Sequence, residues 1–521
     1  MEIIENQILK FRTRNPEKYS LIPKSQNLGE VAQGIYEVAV YWGLHEVRVL
    51  RNLGVKNVPS PIQGAYNWPG RHKPFTHQIQ TASFLTLNNR AYCLNEAGTG
   101  KTGACLWASD YLMKIGHVNR VLIVCPLSIM EAAWMKDIMS FVIHRKAVIA
   151  HASSMQKRKD LIKSGTDYVI INYDGVEGVI DTIKDDGTFD LVILDEVNFI
   201  KNSQTRRWKA LNAILTPDTR VWALTGTPAP QSPLDAYGVA KLVTPSTVPK
   251  FLTAWRDRTM LKATQFKWLP KPEAPKHVHT ALQPAVRFTK EMCLDLPPIL
   301  TTARKVPMTP QQEKYYRLMK MRAVMEAAGE TITAVNAATV INKLLQISAG
   351  AAYTDDSETV IFDCKPRLSA LDEILEDTDK KVIVFAAFRS SIDTIADHLT
   401  KSGVTNKTIT GDVNPTKRGV IFNDYQTKPD PRVLVIQPQA AAHGVTLTEA
   451  DTVIFWGPVT SVETYLQCIA RAHRIGQKGN SVTVVHLYSS EVEAKMFKQL
   501  EGKVENHSAI VKLYDDEMKN L

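Results

Sequence analysis

The chain has 521 residues, of which 44% are hydrophobic, 22% charged and 8% aromatic, with a mean hydropathy of −0.16. At about 150 residues per domain this is length for three to four units, and the composition excludes a disordered, collagen-like or disulfide-scaffold protein. A count of 63 Lys+Arg against 53 Asp+Glu leaves a formal charge of +10, which favours a polyanionic partner such as nucleic acid or a membrane surface.

The first 70 residues are mixed in pattern and end in a Pro/Gly-marked junction, PSPIQGAYNWPG (59–70). Short apolar runs then recur, separated by helix-length segments. The first set is AYCLN (91–95), VLIVCP (121–126), YVIINY (168–173), DLVILD (190–195) and RVWALT (220–225). A Pro- and Lys-rich stretch, WLPKPEAPKHVH (268–279), reads as a loop or linker. The segment TPQQEKYYRLMKMRAVMEAAG (309–329) reads as a helix with Thr309 as its N-cap and Pro310 at its first position. The second set is KVIVFA (381–386), KTIT (407–410), RVLVIQ (432–437), DTVIFW (451–456) and VTVVHL (482–487), and helical spacing resumes from Ser490 to about Met518. Continuous β-branched runs, rather than in/out alternation, predict parallel strands covered on both faces. Alternation with helices predicts two doubly wound α/β domains.

The six cysteines stand far apart and form no CxxC pair, so structural zinc is disfavoured and a reducing compartment is expected. The N-terminus lacks an apolar core of signal-peptide length. With no apolar run of about eighteen residues anywhere, the membrane reading falls and nucleic acid remains.

The segment EAGTGKTG (96–103) follows one predicted strand and opens a helix-compatible run. Gly98 and Gly100 let backbone N–H groups cradle phosphate oxygens, with Thr99 and Gly103 completing the loop. Lys101 reaches the β/γ-phosphates of ATP and Thr102 can hold Mg²⁺. Asn95 stands where the strict GxxxxGKT pattern has its first glycine. Asp195 and Glu196 end the strand DLVILD, where open α/β sheets place their ligands. Asp195 is the expected Mg²⁺ ligand and Glu196 the residue polarising the attacking water. In QCIARAHRIGQ (467–477), helical spacing puts Gln467, Arg471 and Arg474 on one surface, as for an arginine finger delivered to the γ-phosphate.

Taken in order, these segments resemble the Swi/Snf (Snf-two) family of superfamily-two helicase-like ATPases, from about Pro74 to the C-terminal tail. Within PFTHQIQTASFL, Gln78 matches the adenine-reading residue; NEAGTGKT resembles motif I and VCPLSIMEAAW (124–134) motif Ia. IINYDGV (170–176) resembles Ib, DEVNFIKN (195–202) II and LTGTPAPQ (224–231) III. VIVFAAFRSSID (382–393) resembles IV, HGVTLTEADTVIFW (443–456) V and RAHRIGQ (471–477) VI. ALQPAVRFTKEMCLDLPP (281–298) resembles the segment that joins the family's lobes. The usual motif II has His where this chain has Asn198, which places the question on coupling between lobes rather than on hydrolysis. Motif III, Thr225, Gly226 and Thr227, is expected to couple the lobes. The family's helical insertions look short here, and no histone-recognition module is readable.

Read together, the pattern and the resemblance predict an N-terminal accessory region (1–70) ahead of the matched segment, a RecA-like lobe (71–245), a helical insertion and linker (246–360), a second RecA-like lobe (361–490) and a helical tail (491–521). It implies a monomeric DNA-dependent ATPase that uses ATP and Mg²⁺ and translocates along double-stranded or branched DNA. Contacts would go mainly to phosphates, and the matched candidates are Ser128, Arg389, Gly444 and Thr446. Lys157–Arg158–Lys159 and Arg206–Arg207 read more readily as solvated faces, and WRDRTMLKATQFKW (255–268) as a packed helix. Alternatives are a strand-separating or branch-migrating helicase, a motor subunit of a defence or restriction complex, or a DNA-binding scaffold without ATPase activity. The compact size points to a bacterial or viral source and a cytoplasmic location, or a nuclear one in a eukaryote.

Overall fold

The computed structural model describes residues 1–264, 268–293, 296–329, 334–353, 359–441, 445–474, 476–479, 481–502 and 504, with side chains for all but 132, 322–329, 334–338, 415, 416 and 441. Of the sequence expectations, Gly444 and the tail beyond 504 lie outside the described residues. The described residues divide into two compact units, Met1–Cys293 and 296–504.

The first unit opens with a four-stranded antiparallel sheet in the order Glu2–Ile4, Ile8–Thr13, Ile35–Tyr41, Ser25–Ala32. ILKFRT buries Leu9 and Phe11 and exposes alternate residues, the period-two pattern of a sheet with one wet face. Val38, Val40 and Trp42 join them, and the helix Leu44–Asn52 adds Val47 and Leu50 to close a small core.

Its main sheet has seven parallel strands in the order Ala285–Val286, Arg90–Cys93, Arg220–Leu224, Phe189–Asp195, Arg120–Cys125, Tyr168–Asn172, Ala147–Ile149. The five expected runs all form strands. Arg120–Cys125 and Arg220–Leu224 are buried at every position because helices cover both faces. The outermost strands, Ala147–Ile149 and Ala285–Val286, are only three and two residues long, and their pairing is set by non-local register rather than by a readable run.

The second unit has six parallel strands in the order Ile299–Lys305, Val482–Tyr488, Ala450–Phe455, Lys381–Phe385, Val433–Ile436, Asn406–Ile409. Again the five expected runs form strands. Ile299–Lys305 is an exposed, polar edge strand with no apolar run to announce it. Residues 246–360 thus give a strand to each sheet, besides helices such as Leu252–Thr259 and Pro310–Gly329. The latter helix starts as expected. Thr309 Oγ1 accepts from the Gln312 N–H (3.3 Å) and Gln312 Oε1 accepts from the Thr309 N–H (3.1 Å), a reciprocal capping box. In WRDRT, Trp255 is 1% exposed and donates to the Pro233 carbonyl, so the packed-helix reading holds there.

Candidate active site

The phosphate loop lies between the strand Arg90–Cys93 and the helix Lys101–Lys114, at the carboxyl end of the first unit's main sheet. Gly98 and Gly100 sit at φ +91° and +79°, a left-handed backbone that favours glycine. A side chain on Gly100 would also overlap the Gln78 amide. Gln78 Nε2 donates to the Gly100 carbonyl (3.3 Å), its Oε1 accepts from the Phe75 N–H (2.9 Å), and the His77 ring bonds the Thr99 carbonyl (2.8 Å). The helix that carries Gln78 therefore braces the loop directly. Lys101 Nζ donates to the carbonyls of Asn95 (2.9 Å) and Glu96 (3.2 Å), spanning the loop that its spacing predicted it would serve.

The departure at Asn95 has a structural reason. Its amide donates to Thr81 Oγ1 (2.9 Å) and its Oδ1 accepts from the Phe288 N–H (3.0 Å), tying the loop to a helix on one side and a strand extension on the other. Arg287, 1% exposed, donates to the Leu94 carbonyl (2.5 Å) and to Glu96 Oε1 (3.1 Å), while Glu96 Oε2 accepts from the Lys290 N–H (3.1 Å). A glycine at 95 would forfeit the ties to Thr81 and Phe288.

Asp195 ends the strand Phe189–Asp195, one strand removed from the loop strand with Arg220–Leu224 between them. Asp195 is 9% exposed, and its carboxylate accepts from Trp134 Nε1 (2.8 Å) and from the Glu196 N–H (2.9 Å). Burial raises the Asp195 pKa, while nearby Lys101 and the Trp134 and Glu196 donors pull it down. Tyr173 holds the Asp195 carbonyl (2.8 Å). Glu196 stands at φ +52°, ψ +56°, a left-handed conformation costly for a non-glycine residue and of the kind that collects at functional sites.

Asn198 Nδ2 lies within hydrogen-bond distance of Thr225 Oγ1 (3.1 Å), the Thr227 carbonyl (3.1 Å) and Thr227 Oγ1 (3.2 Å), so motifs II and III are joined inside one unit. Gly226 brings that segment against the loop backbone, since a Cβ there would lie 3.2 Å from the Ala97 nitrogen. Gln78, Gly98, Thr99, Gly100, Lys101, Thr102, Gly103, Asp195, Glu196, Asn198 and Thr225–Thr227 all belong to this one unit. The chemistry suits Mg·ATP: a hard cation takes one or two carboxylates plus phosphate oxygens, and Asp195 is a buried carboxylate whose charge a cation would favour. Thr102 supplies a hydroxyl in the first turn of the following helix.

In the second unit the helix Val462–Ala472 stops before Arg474, with His473 as its C-cap, so the expected single helical surface ends two residues short. Arg471 is 5% exposed; its Nε donates to the Gln467 carbonyl (2.9 Å) and its Nη1 to the Val445 carbonyl (3.1 Å), pinning the segment before Thr446. Gln467 is buried and its amide has no hydrogen-bond partner among the described residues. Arg474 is half-buried. Gln477 donates to the carbonyls of Ala450 (2.7 Å) and Ala472 (3.0 Å), a bracing role that its motif position does not reveal. Of the DNA candidates, Ser128 and Thr446 are exposed in short connecting segments, and Arg389 is exposed but paired with Asp412. Arg207 pairs with Asp174. The roles of Trp134, His77 and Arg287 escape a reading by motif; the one available signal for Arg287 is an arginine set in an apolar stretch, PAVRF.

Among the described residues no helix is long and apolar enough to cross a membrane. A family model described as SNF2-related domain matches residues 77–350, and one described as Helicase conserved C-terminal domain matches 366–476. An uncharacterized ATP-dependent helicase of Mycoplasma pneumoniae is 26% identical over 394 residues, covering 74% of this chain and 36% of its own length. Putative protein p41 of Acyrthosiphon pisum secondary endosymbiont phage 1 is 26% identical over 423 residues, covering 77% and 88%. Chromodomain-helicase-DNA-binding protein 1-like of Danio rerio is 24% identical over 428 residues, covering 77% and 40%. The chain thus spans well under half the length of the Mycoplasma and zebrafish relatives. The Sulfolobus solfataricus SWI2/SNF2 ATPase core in complex with dsDNA is 21% identical, covering 87% of this chain and 96% of its own, at a TM-score of 0.41.

Proposed function

Because the chain belongs to the SNF2-related family of helicase-like ATPases, we propose that it is a DNA-dependent ATPase that translocates along double-stranded DNA. The observation that carries this reading is the strand–loop–helix around Lys101 set beside the buried Asp195 and the half-buried Glu196. One relative is named a DNA-binding helicase, and the net charge of +10 suits a phosphate-gripping protein.

In this proposal the loop amides from Gly98 to Gly103 bind the phosphates, and Lys101 leaves the Asn95 and Glu96 carbonyls to meet them. Thr102 and Asp195 hold Mg²⁺, which when bound neutralises charge on the phosphate oxygens. Glu196 accepts a proton from the attacking water, and Trp134 fixes the Asp195 carboxylate. Gln78 links the adenine side to the loop it braces. Asn198 passes the state of motif II to Thr225 and Thr227. Gln467, Arg471 and Arg474 are the catalytic residues proposed for the second unit. Ser128, Arg389, Gly444 and Thr446 touch DNA phosphates.

The test is phosphate release by the wild type and by Lys101→Ala, with duplex DNA, single strands, forks and RNA as stimulators. Duplex should stimulate the wild type most, with strand displacement of a triplex reporting movement, and Lys101→Ala should be inactive at an unchanged melting temperature. Full turnover in Lys101→Ala, or stimulation by RNA alone, refutes the reading.

A further inference from the structure

The first unit carries a second polar recess, at the end of the Lys101–Lys114 helix opposite the phosphate loop. It has a volume of 610 Å³ and is walled by the turn Glu5–Gln7, the stretch Tyr41–Glu46, Tyr111 and His117. It shares no residue with the site described above.

The distinguishing group is Glu46, in the first turn of the helix Leu44–Asn52. This side chain is 8% exposed, yet its carboxylate has no hydrogen bond and no ion pair among the described residues. Gly43 makes room for it. A Cβ at that position would overlap Glu46 Oε2 and lie 2.8 Å from Tyr41 Cε1, so carboxylate and ring edge converge over bare backbone. A carboxylate that faces a recess without donors of its own is stabilised by a cation or by several donors that enter and meet it.

The rest of the wall narrows the ligand. Glu5 adds a second acidic residue, and no Lys or Arg lines the recess in a chain of net charge +10, so an anion is disfavoured. Among the described residues no group of three or more His, Cys, Asp or Glu is placed to hold a metal ion. The aromatic members are Tyr41, Trp42 and Tyr111. Trp42 is held by its indole N–H on the Pro59 carbonyl (2.8 Å). Tyr41 already carries the Lys24 ammonium 4.5 Å from its ring centroid, so this ring accepts cations. The side chains of His45 and His117 and the Tyr111 hydroxyl have no hydrogen-bond partner among the described residues and can serve as acceptors.

We propose that the recess binds an arginine side chain of a partner protein, the guanidinium pairing with Glu46 and lying against the aromatic wall. Arginine fits better than lysine because its planar fork pairs a carboxylate bidentately, stacks on rings and sheds water more easily than an ammonium. The volume exceeds one side chain and leaves room for the residues that flank the arginine.

The experiment titrates N-acetyl-arginine methylamide into the full chain and follows the Trp42 indole N–H resonance, assigned by its loss in Trp42→Phe. The citrulline, lysine and spermidine counterparts are run in parallel. The arginine probe should shift the resonance saturably. The citrulline probe, and the arginine probe with Glu46→Gln, should bind at least about tenfold more weakly, and lysine and spermidine should bind more weakly than arginine. The citrulline comparison is made on the wild type, so it stands even if Glu46→Gln misfolds. Absence of a saturable shift, equal binding of citrulline, or spermidine binding as well as arginine overturns the proposal.

Discussion

Replacing Trp134 with Phe removes one hydrogen bond from the residue proposed to hold Mg²⁺. The Trp134 indole is fully buried and its Nε1 lies 2.8 Å from Asp195 Oδ2. A hydrogen bond to a charged group contributes about 1.5–3 kcal/mol. At about 1.4 kcal/mol per pKa unit, its loss should raise the Asp195 pKa by about 1–2 units. The direction is fixed by the structure: burial already raises this carboxyl, and Trp134 is one of the groups holding it down. The acid limb of kcat/KM for DNA-stimulated ATP hydrolysis should therefore move to higher pH by about 1–2 units in Trp134→Phe. Titration of the γ-phosphate is common to both proteins and drops out of the difference. The smaller ring also leaves a void, so profiles are compared below the variant's melting temperature. A limb that stays in place or moves to lower pH in a folded variant would refute the assignment of Trp134 and Asp195 together.

Two further outcomes follow from the same reasoning. Asn198→Asp keeps the shape but loses both amide hydrogens and sets a carboxylate against the Thr227 carbonyl; it should lower kcat several-fold with little change in the KM for ATP, and a changed KM at constant kcat contradicts a coupling role. His486 is 1% exposed and burial pushes its pKa down to about 4. Above the ordinary value near 6.5 neither state is protonated; below it the unfolded chain binds the proton first, so stability falls with pH between about 6.5 and 4, by up to about 3 kcal/mol. His486→Gln, which keeps an acceptor for the Tyr465 hydroxyl, should flatten the urea midpoint across that window, and an unchanged slope excludes His486 as its source.

The central strands were legible because burial on both faces demands continuous apolar runs, and DLVILD or KVIVFA can satisfy little else. Edge strands were not. Ile299–Lys305 is polar and exposed, and its place beside Val482–Tyr488 depends on a partner more than 170 residues away. The N-terminal sheet shows its period in ILKFRT and IYEVAVY, but short alternation among charged residues is easily read as irregular. In the site, glycines and Lys101 declare themselves because phosphate chemistry fixes their spacing. The contacts of Trp134, Arg287 and Asn95 arise from folding distant segments together, and no local pattern encodes them. Arg471 shows the reverse case: its spacing is legible, but its guanidinium bonds backbone carbonyls of its own unit.

The two-residue strand Ala285–Val286 has a consequence for how the nucleotide-facing unit is delimited. It places a backbone neighbour along the strand that enters the phosphate loop. Tyr92, Leu94 and Glu96 donate to the carbonyls of Pro284, Val286 and Phe288 at 3.0, 2.8 and 3.0 Å. A chain ended at residue 245 would keep every loop glycine and Lys101, yet leave that strand as an open sheet border able to recruit foreign strands. Asn95 and Glu96 would lose their anchors as well. The smallest self-sufficient nucleotide-binding piece must therefore extend at least through Lys290, because the loop is completed by residues some 190 positions downstream.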